Sequence, residues 1–366
     1  MPTDQVLFER RGRLGIIVLN RPRNINALTP QMVEAMLAKL GEWAEDDAVR
    51  TVLMRGAGER GLCAGGDIVA IYRDIVDDGG SATAQFWARE YRLNSLISRY
   101  PKPYVAFMDG LVLGGGVGIS AHGSHRVVTE RTRMGMPETT IGFVPDVGGT
   151  FLLAAAPGES GTHAALTGAH LDGADVLHLG LADHFVAGDR LDSLATALEE
   201  ESADDAVARF VQEPPPSSLA AERTWIDHAY ASDDVGEIVR RLRTASVPEA
   251  DHAADTIEAK SPTALKVTLQ ALRFARARDL ALEEALDMEY RIGLRFLEGN
   301  DFREGIRAQV IDKDRSPRWN PATTVDVTND MVAACFASLG RRELGLGNQL
   351  TQPRPATNQF STFSGV

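Results

Sequence analysis

The chain has 366 residues and a formal net charge of −13 at pH 7, with 44% hydrophobic and 24% charged residues. This length allows a large hydrophobic core and suggests about two domains. The excess of acidic residues argues against nucleic acid or an anionic membrane surface as the main partner. Cys63 and Cys335 are the only cysteines and lie far apart, so no disulfide framework or cysteine-based metal site is predicted.

The first residues limit where the protein is expected to reside. Residues 1–20 contain no apolar signal-peptide core, and their acidic side chains are unlike those of a transit peptide. No apolar run in the sequence is long enough to cross a bilayer. We therefore expect a cytoplasmic protein without a membrane partner.

A strand and a capped helix are predicted near the start of the chain. The apolar run Arg13–Leu19 is predicted to form the strand. The helix is predicted to begin at Pro30, with Thr29 as its N-cap. Between these elements, Arg21 and Arg23 lie beside a backbone turn, where they are either solvated surface residues or ligands of a phosphate group.

Two glycine-rich turns follow predicted strands. The turn Gly61–Ile68 comes after the strand Val49–Met54, and the turn Gly114–Gly118 comes after the strand Tyr104–Met108. Glycines at a helix start expose backbone N–H groups at the positive end of the helix dipole. Two such turns can direct two N–H groups at one oxygen atom and form an oxyanion hole. Alternatively, the glycines only allow a helix to pack closely on a sheet.

One carboxylate falls on the apolar stripe of a predicted helix. Phe86, Leu93 and Ile97 form this stripe, and Glu90 follows Phe86 by one helical turn. A carboxylate on a buried face is costly unless it is paired or hydrogen-bonded. Either a neighbouring arginine pairs with Glu90, or Glu90 faces a polar cavity.

Two further carboxylates lie in a loop-rich segment. Glu138 follows Pro137, and Asp146 follows Pro145. Because each proline restricts its own backbone and that of the preceding residue, both acids are expected outside helix interiors. Asp146 can also be interpreted as a helix cap, because a glycine pair follows it closely.

The second half of the chain is predicted to be largely helical. Glu213–Ser218 is a polar proline run typical of a linker. Helices are predicted over Asp234–Leu242, Pro262–Arg278 and Leu282–Leu297. Glu289 lies near the buried stripe of the last helix, and we interpret it as the ion-pair partner of an arginine.

Alternating strands and helices in the first half indicate an α/β fold with crossover connections. The composition divides the chain into four regions. They are a core over residues 1–190, a helical segment with the proline-rich linker over 191–260, a C-terminal helical region over 261–350, and a disordered tail over 351–366.

The two glycine-rich turns resemble the crotonase (enoyl-CoA hydratase/isomerase) superfamily, through Ala64-Gly65-Gly66-Asp67 and Gly114-Gly115-Gly116. More narrowly, the segments HGSHRVVTE, MPETTIGFVPDVGGTF and DFREGIRAQVIDKDRSPRWNP are similar to the 3-hydroxyisobutyryl-CoA hydrolases of that superfamily. The resemblance extends from about Phe8 to about Leu344. It implies a spiral of ββα units with stacked sheets, followed by a helical C-terminal region.

The resemblance also implies roles for the candidate residues. The N–H groups of Gly66 and Gly115 would form an oxyanion hole for a thioester oxygen. Glu138 would either attack the thioester or activate a water molecule, and Asp146 would hold a substrate hydroxyl or position the water. Together with Glu90 in the acyl pocket, Gly115, Glu138 and Asp146 would contact the substrate.

Coenzyme A, as a part of the substrate, would bind near Arg21, Arg23 and Ala64, and no separate cofactor or metal is implied. The hydratases carry a second glutamate where this chain has Gly118, and a glycine where it has Asp146. This difference argues against addition of water across a double bond, which needs a paired acid and base.

The expected activity is hydrolysis of a short 3-hydroxyacyl-CoA. The resemblance favours 3-hydroxyisobutyryl-CoA, a thioester of valine degradation, and leaves 3-hydroxypropionyl-CoA open. The alternatives are another crotonase-type reaction, such as enoyl-CoA hydration or isomerisation, and non-catalytic binding of coenzyme A. The resemblance further implies a homo-oligomer.

Overall fold

The computed structural model of the protein describes residues 4–348, so the predicted tail over residues 351–366 lies outside the described residues. The strands are β1 (Val6–Arg11), β2 (Leu14–Leu19), β3 (Thr51–Gly56), β4 (Gly61–Cys63), β5 (Tyr104–Met108), β6 (Leu111–Leu113), β7 (His125–Val128), β8 (Arg133–Gly135) and β9 (His184–Phe185).

The α-helices of the first 200 residues are α1 (Pro30–Glu45), α2 (Ile68–Asp78), α3 (Ser81–Ser98), α4 (Gly115–Gly118), α5 (Gly149–Ala154), α6 (Ser160–Thr167), α7 (Gly173–His178) and α8 (Leu191–Ala197). Those that follow are α9 (Ala203–Ala208), α10 (Ser218–Tyr230), α11 (Val235–Thr244), α12 (Pro248–Glu258), α13 (Pro262–Arg278), α14 (Leu282–Glu298), α15 (Asp301–Ile306) and α16 (Asn329–Phe336). Short 3₁₀ helices cover Pro22–Asn24, Glu138–Ile141, Gly188–Arg190 and Gly340–Arg342, and a π-helix covers Arg307–Ile311.

The strands form two sheets, and from β3 to β8 the chain contributes a strand to each sheet in turn. The larger sheet has the order β1-β2-β3-β5-β7-β9, and the smaller sheet has the order β4-β6-β8. Strands β1 and β2 are antiparallel, and all other pairs are parallel. Successive pairs β3-β4, β5-β6 and β7-β8 each give one strand to each sheet before the chain enters a helix. The predicted α/β spiral of ββα units is therefore confirmed.

The centre of the larger sheet is buried on both faces. Every residue of β5 is buried, as expected for a central parallel strand covered on both sides. Alternate residues of β2 point to different clusters, with Ile17 in the main hydrophobic core and Leu14 and Ile16 in a smaller cluster. Helices α8 and α9 complete this smaller cluster, so residues beyond 190 cover one face of the sheet.

The C-terminal helices share the main core. One hydrophobic cluster includes residues from Val6 to Leu346, and it contains buried residues of α13 and α14. Helix α13 coincides with its prediction, and α14 extends one residue beyond its own. The divisions near residues 190 and 260 remain predictions. None of the helices described here is long and apolar enough to span a membrane.

The cap of α1 offers a test of the predicted helix start. The hydroxyl oxygen of Thr29 accepts a hydrogen bond of 3.3 Å from the N–H of Met32, as predicted for an N-cap. We expect Thr29→Ala to lower the free energy of unfolding by about 1 kcal/mol, because this N–H loses its acceptor. Equilibrium urea denaturation measures the change, and Thr29→Ser, which keeps the acceptor, is the control. Equal stabilities of the two variants would contradict the capping role.

Candidate active site

A cavity of about 210 Å³ lies between the two glycine-rich turns, helix α3 and the 3₁₀ helix Glu138–Ile141. It brings together most of the candidate residues predicted from the sequence. The ones that line it are Ala64, Gly66, Glu90, Gly115, Glu138 and Asp146. The apolar side chains of Ile71, Phe86 and Phe143 complete much of its wall.

The N–H groups of Gly66 and Gly115 are available to a ligand. Leu28 donates to the carbonyl of Gly65 and accepts from the N–H of Asp67, which fixes the backbone on both sides of Gly66. Gly115 is the first residue of α4, where an N–H has no partner within the helix. Between residues 4 and 348, neither N–H group has a protein acceptor. Both are therefore free donors at the cavity wall.

Glu90 faces this cavity and has no arginine partner. Its side chain is buried, and its Oε1 atom has no hydrogen-bond partner among the described residues. A Cβ atom on Gly115 would lie only 2.5 Å from that Oε1, so the glycine leaves room for the carboxylate. Arg89 pairs with Glu34 instead, and Arg92 donates to a carbonyl of its own helix. The structural ion pair considered for Glu90 is therefore absent from the part of the chain described here.

Glu138 and Asp146 reach the cavity from segments that are not α-helical. Glu138 is the first residue of its 3₁₀ helix, and its Oε2 atom has no partner among residues 4–348. Asp146 accepts a hydrogen bond of 2.8 Å at Oδ2 from the hydroxyl of Tyr91. The alternative interpretation of Asp146 as a side-chain cap of α5 is wrong. The N-cap of this helix is Gly148, and no side-chain cap hydrogen bond is formed there.

The cavity holds carboxylates whose protonation is coupled. Burial raises the pKa of Glu90 and of Glu138 well above the usual range, and the nearby charge of Asp146 raises both further. Burial also raises the pKa of Asp146 to about 7, although the hydrogen bond from Tyr91 opposes this shift. Like charges at close range destabilise one another, so ionisation of one of these carboxylates disfavours ionisation of its neighbours.

Glu289 differs from its sequence-based interpretation. The predicted ion pair with an arginine is wrong, because the carboxylate of Glu289 accepts hydrogen bonds from the N–H of Gly148 at 2.7 Å and of Thr150 at 2.8 Å. Burial raises its pKa to about 8, the bond from Gly148 opposes this shift, and the charge of Asp146 adds to it. Glu289 therefore binds the backbone just after Asp146.

The two predicted coenzyme A arginines lie outside the cavity lining. Arg21 donates to the carbonyl of Ala27 and, at 3.0 Å, to the carboxylate of Asp67, which caps α2. Arg21 thus connects the loop before α1 to the first glycine-rich turn. Arg23 is exposed. A phosphate role for both residues stays a prediction.

The comparisons with known proteins agree with this geometry. The family described as enoyl-CoA hydratase/isomerase matches residues 14–336. The chain belongs to the enoyl-CoA hydratase/isomerase family. Its relative in Danio rerio, named mitochondrial 3-hydroxyisobutyryl-CoA hydrolase, is 40% identical in an alignment of 353 residues that covers 93% of this chain and 92% of that protein.

Two solved structures share the whole fold. One, named a carnitinyl-CoA dehydratase from Mycobacterium thermoresistibile, superposes with a TM-score of 0.90 and is 51% identical, covering 93% of this chain and 98% of its own. The other, named an enoyl-CoA hydratase from Rhodobacter sphaeroides, has a TM-score of 0.88 and 40% identity, covering 93% of this chain and 99% of its own. Both neighbours support the membership of this chain in the enoyl-CoA hydratase/isomerase family.

Gly118 has no space for a side chain in this family member. A Cβ atom there would lie 2.6 Å from Cβ of Val147 and 2.8 Å from Nδ2 of Asn94. Distances under about 3 Å between such atoms require the neighbours to move. A glutamate at position 118, which the sequence comparison with hydratases singled out, does not fit the structure as it stands.

Lys260 is a residue of the site that sequence reasoning missed. It is buried just before α13, and its Nζ donates a hydrogen bond of 2.5 Å to Oγ1 of Thr140, which lines the cavity. Burial lowers the pKa of Lys260 to about 8, and the charge of Glu138 opposes this shift. Lys260 lies far from Glu138 in the sequence. The local pattern beside it is the Ser261-Pro262 helix start, which predicts a helix but no role in the site.

Burial and the charges of Asp146 and Glu289 raise the pKa of Glu138, and the positive charge of Lys260 opposes this rise. If Glu138 acts as a carboxylate, activity rises as the pH increases through its pKa. We expect Lys260→Met to raise this pKa and to move the acidic limb of the kcat/KM profile to higher pH. The profile measured with a thioester substrate tests this.

Lys266→Met is the matched control for this experiment. Lys266 lies on α13, is half-buried, and donates to the carbonyl of Val327 outside the cavity. Its loss should leave the acidic limb in place. An identical limb in Lys260→Met and the wild type would contradict an electrostatic effect of Lys260 on Glu138.

Proposed function

We propose that this protein hydrolyses a short 3-hydroxyacyl-CoA thioester, and that 3-hydroxyisobutyryl-CoA is its substrate. The observation that carries the proposal is the arrangement of Glu138 and Asp146 in one cavity with the free N–H groups of Gly66 and Gly115. The name of the relative in Danio rerio supports the same substrate.

The size of the cavity agrees with a small acyl group. Its volume of about 210 Å³ is below the range of about 300–1,000 Å³ typical of pockets for larger ligands. Its walls combine apolar side chains with the carboxylates of Glu90, Glu138 and Asp146. A branched acyl chain contacts the apolar wall, and its hydroxyl group finds an acceptor among the carboxylates.

The oxyanion hole polarises the thioester. The carbonyl oxygen accepts from the N–H groups of Gly66 and Gly115, and these donors stabilise the negative charge that grows as a nucleophile attacks the carbonyl carbon. A donor of this kind contributes about 3–4 kcal/mol of transition-state stabilisation. Because both donors are backbone groups fixed by the fold, they need no reorganisation during the reaction.

Glu138 supplies the nucleophile. As a general base, it removes a proton from water, whose oxygen bonds to the carbonyl carbon while the carbon–sulfur bond breaks. As a nucleophile, its own oxygen forms a mixed anhydride that water then cleaves. Both routes yield the hydroxy acid and the free thiol of coenzyme A, which takes up a proton. The unpaired Oε2 atom of Glu138 is available for either route.

Asp146 holds the hydroxyl group of the substrate or the attacking water. Its Oδ2 atom accepts a hydrogen bond from the hydroxyl of Tyr91. Tyr91 thus orients the carboxylate. Glu90, whose Oε1 atom is unpaired beside Gly115, contributes a second polar contact to the bound acyl group.

The coenzyme A portion extends from the cavity past Ala64. Arg21 and Arg23 lie on the loop that precedes α1, and we assign the phosphate contacts to them because they are basic residues close to the first glycine-rich turn in a chain of net negative charge. We also propose that the protein is a homo-oligomer that functions in the cytoplasm, although the named relative in Danio rerio is mitochondrial.

Dehydration or hydration of an acyl-CoA is the second candidate function. The 51% identical structure from Mycobacterium thermoresistibile is named a carnitinyl-CoA dehydratase, which favours this alternative. The crowded Gly118 argues against it. A free-thiol assay with 3-hydroxyisobutyryl-CoA separates the two: thiol release supports hydrolysis, whereas a change in enoyl absorbance without thiol release supports hydration chemistry.

Glu138→Gln tests the central step. We expect thiol release to fall by a factor of about 100 or more, because the amide can neither accept the proton of water nor attack the thioester. Glu283→Gln is a control, since Glu283 is buried on α14 and bonded to Ser95 and Arg99 outside the cavity. Activity of Glu138→Gln close to that of the wild type would remove Glu138 from the mechanism.

Asp146→Gly tests recognition of the hydroxyl group. The comparison is kcat/KM for 3-hydroxyisobutyryl-CoA against isobutyryl-CoA, in the wild type and in the variant. We expect the preference for the hydroxylated substrate to shrink, because the hydroxyl group loses its acceptor. An equal fall on both substrates would instead assign Asp146 to the water molecule. No fall on either substrate would contradict any role in the reaction.

A further inference from the structure

The backbone after Asp146 adopts an unfavourable conformation. Val147 has a φ of +53° and Gly148 a φ of +82°. The left-handed region is unfavourable for a residue with a branched Cβ such as valine, so the surrounding structure has to maintain this turn. The position of the Asp146 side chain depends on the turn because the two residues are adjacent.

Glu289 is the carboxylate that binds the N–H groups of this turn from a distant helix. It is fully buried on α14, and its two oxygens accept hydrogen bonds of 2.7 Å from Gly148 and 2.8 Å from Thr150. The ring of His122 adds a hydrogen bond of 2.8 Å to the carbonyl of Val147. The N–H of Gly149 between them donates to the carbonyl of Asp146 at 2.6 Å.

The sequence around Gly148 cannot supply this acceptor itself. Gly148 is the N-cap of α5, a position that often carries a serine or an aspartate. Here a Cβ atom would lie 2.5 Å from the side chain of Leu282 and 2.7 Å from that of His122. The carboxylate that satisfies these N–H groups therefore comes from a distant helix.

We propose that Glu289 is a positioning residue for the hydrolysis. By binding the N–H groups of Gly148 and Thr150, it holds the turn that presents Asp146 to the cavity and to the hydroxyl of Tyr91. The proposal rests on the proposed function, since it concerns the reaction in which Asp146 takes part. Glu289 itself does not line the cavity.

The chain offers a closely matched control. Asp287 lies on the same helix, is also buried, and accepts hydrogen bonds of 2.9 Å from the N–H groups of Leu346 and Gly347. Glu289→Gln and Asp287→Asn thus remove the same kind of interaction. In each case the new amide can accept from one N–H group, but its NH₂ group faces the other donor.

The two variants should differ in catalysis. We expect kcat for 3-hydroxyisobutyryl-CoA to fall by a factor of about 10–100 in Glu289→Gln, because small displacements of a catalytic group are costly. In Asp287→Asn it should stay within about twofold of the wild type, although thermal unfolding shifts in both. A loss of thermal stability in Glu289→Gln with an unchanged kcat of the folded enzyme would overturn the proposal.

A double-mutant cycle with Asp146 tests the route of the effect. If Glu289 acts through Asp146, then Glu289→Gln should cost little in a chain that already carries Asp146→Gly. The preference for 3-hydroxyisobutyryl-CoA over isobutyryl-CoA should also shrink in Glu289→Gln alone. The same fold-loss of kcat in both backgrounds would show that Glu289 acts independently of Asp146 and would overturn the proposal.

Amide hydrogen exchange gives a readout that does not depend on activity. Exchange in residues 147–152 should be faster in Glu289→Gln than in the wild type and in Asp287→Asn. Unchanged exchange would overturn the proposal even if hydrolysis is confirmed. If the wild type releases no thiol, the proposed function fails, and faster exchange would then assign Glu289 only to the turn.

Discussion

The site depends on the burial of several carboxylates in a small space. Glu90, Glu138, Asp146 and Glu289 are all buried, and burial raises the pKa of each. Within residues 4–348, the donors that offset this charge include the hydroxyl of Tyr91, two backbone N–H groups and the amine of Lys260. Each of these donors favours the ionised form of the carboxylate that it faces.

The fold places the two glycine N–H groups at the cavity through the backbone alone. Because the chain alternates between two sheets, the turns after the neighbouring parallel strands β4 and β6 lie side by side. Each turn presents one unpaired glycine N–H group at the cavity. From the C-terminal helices, Phe302 of α15 lines the cavity, while Glu289 of α14 and Lys260 before α13 bond to residues beside it. The catalytic core and the helical region therefore form one site.

Local patterns allowed much of this to be predicted. Strand β5 followed from its apolar run, and the start of α1 from Thr29 and Pro30. The apolar stripe indicated that Glu90 is buried, but it left open whether an arginine or a cavity faces the carboxylate. The partners of these residues could not be predicted, because they come from distant segments. Glu289 was predicted to form an ion pair with an arginine, because sequence periodicity indicates that a residue is buried but not which groups its carboxylate contacts.

The crowding around Gly118 links two positions of the site. Two residues block a longer side chain there: Asn94, and Val147, which directly follows Asp146. The acid that distinguishes this chain from the hydratases and one obstacle to the hydratase glutamate thus belong to the same turn. A glutamate at position 118 would require Val147 and Asn94 to move. Such a substitution would therefore alter the turn that carries Asp146, so the two acids are not independent additions to this chain.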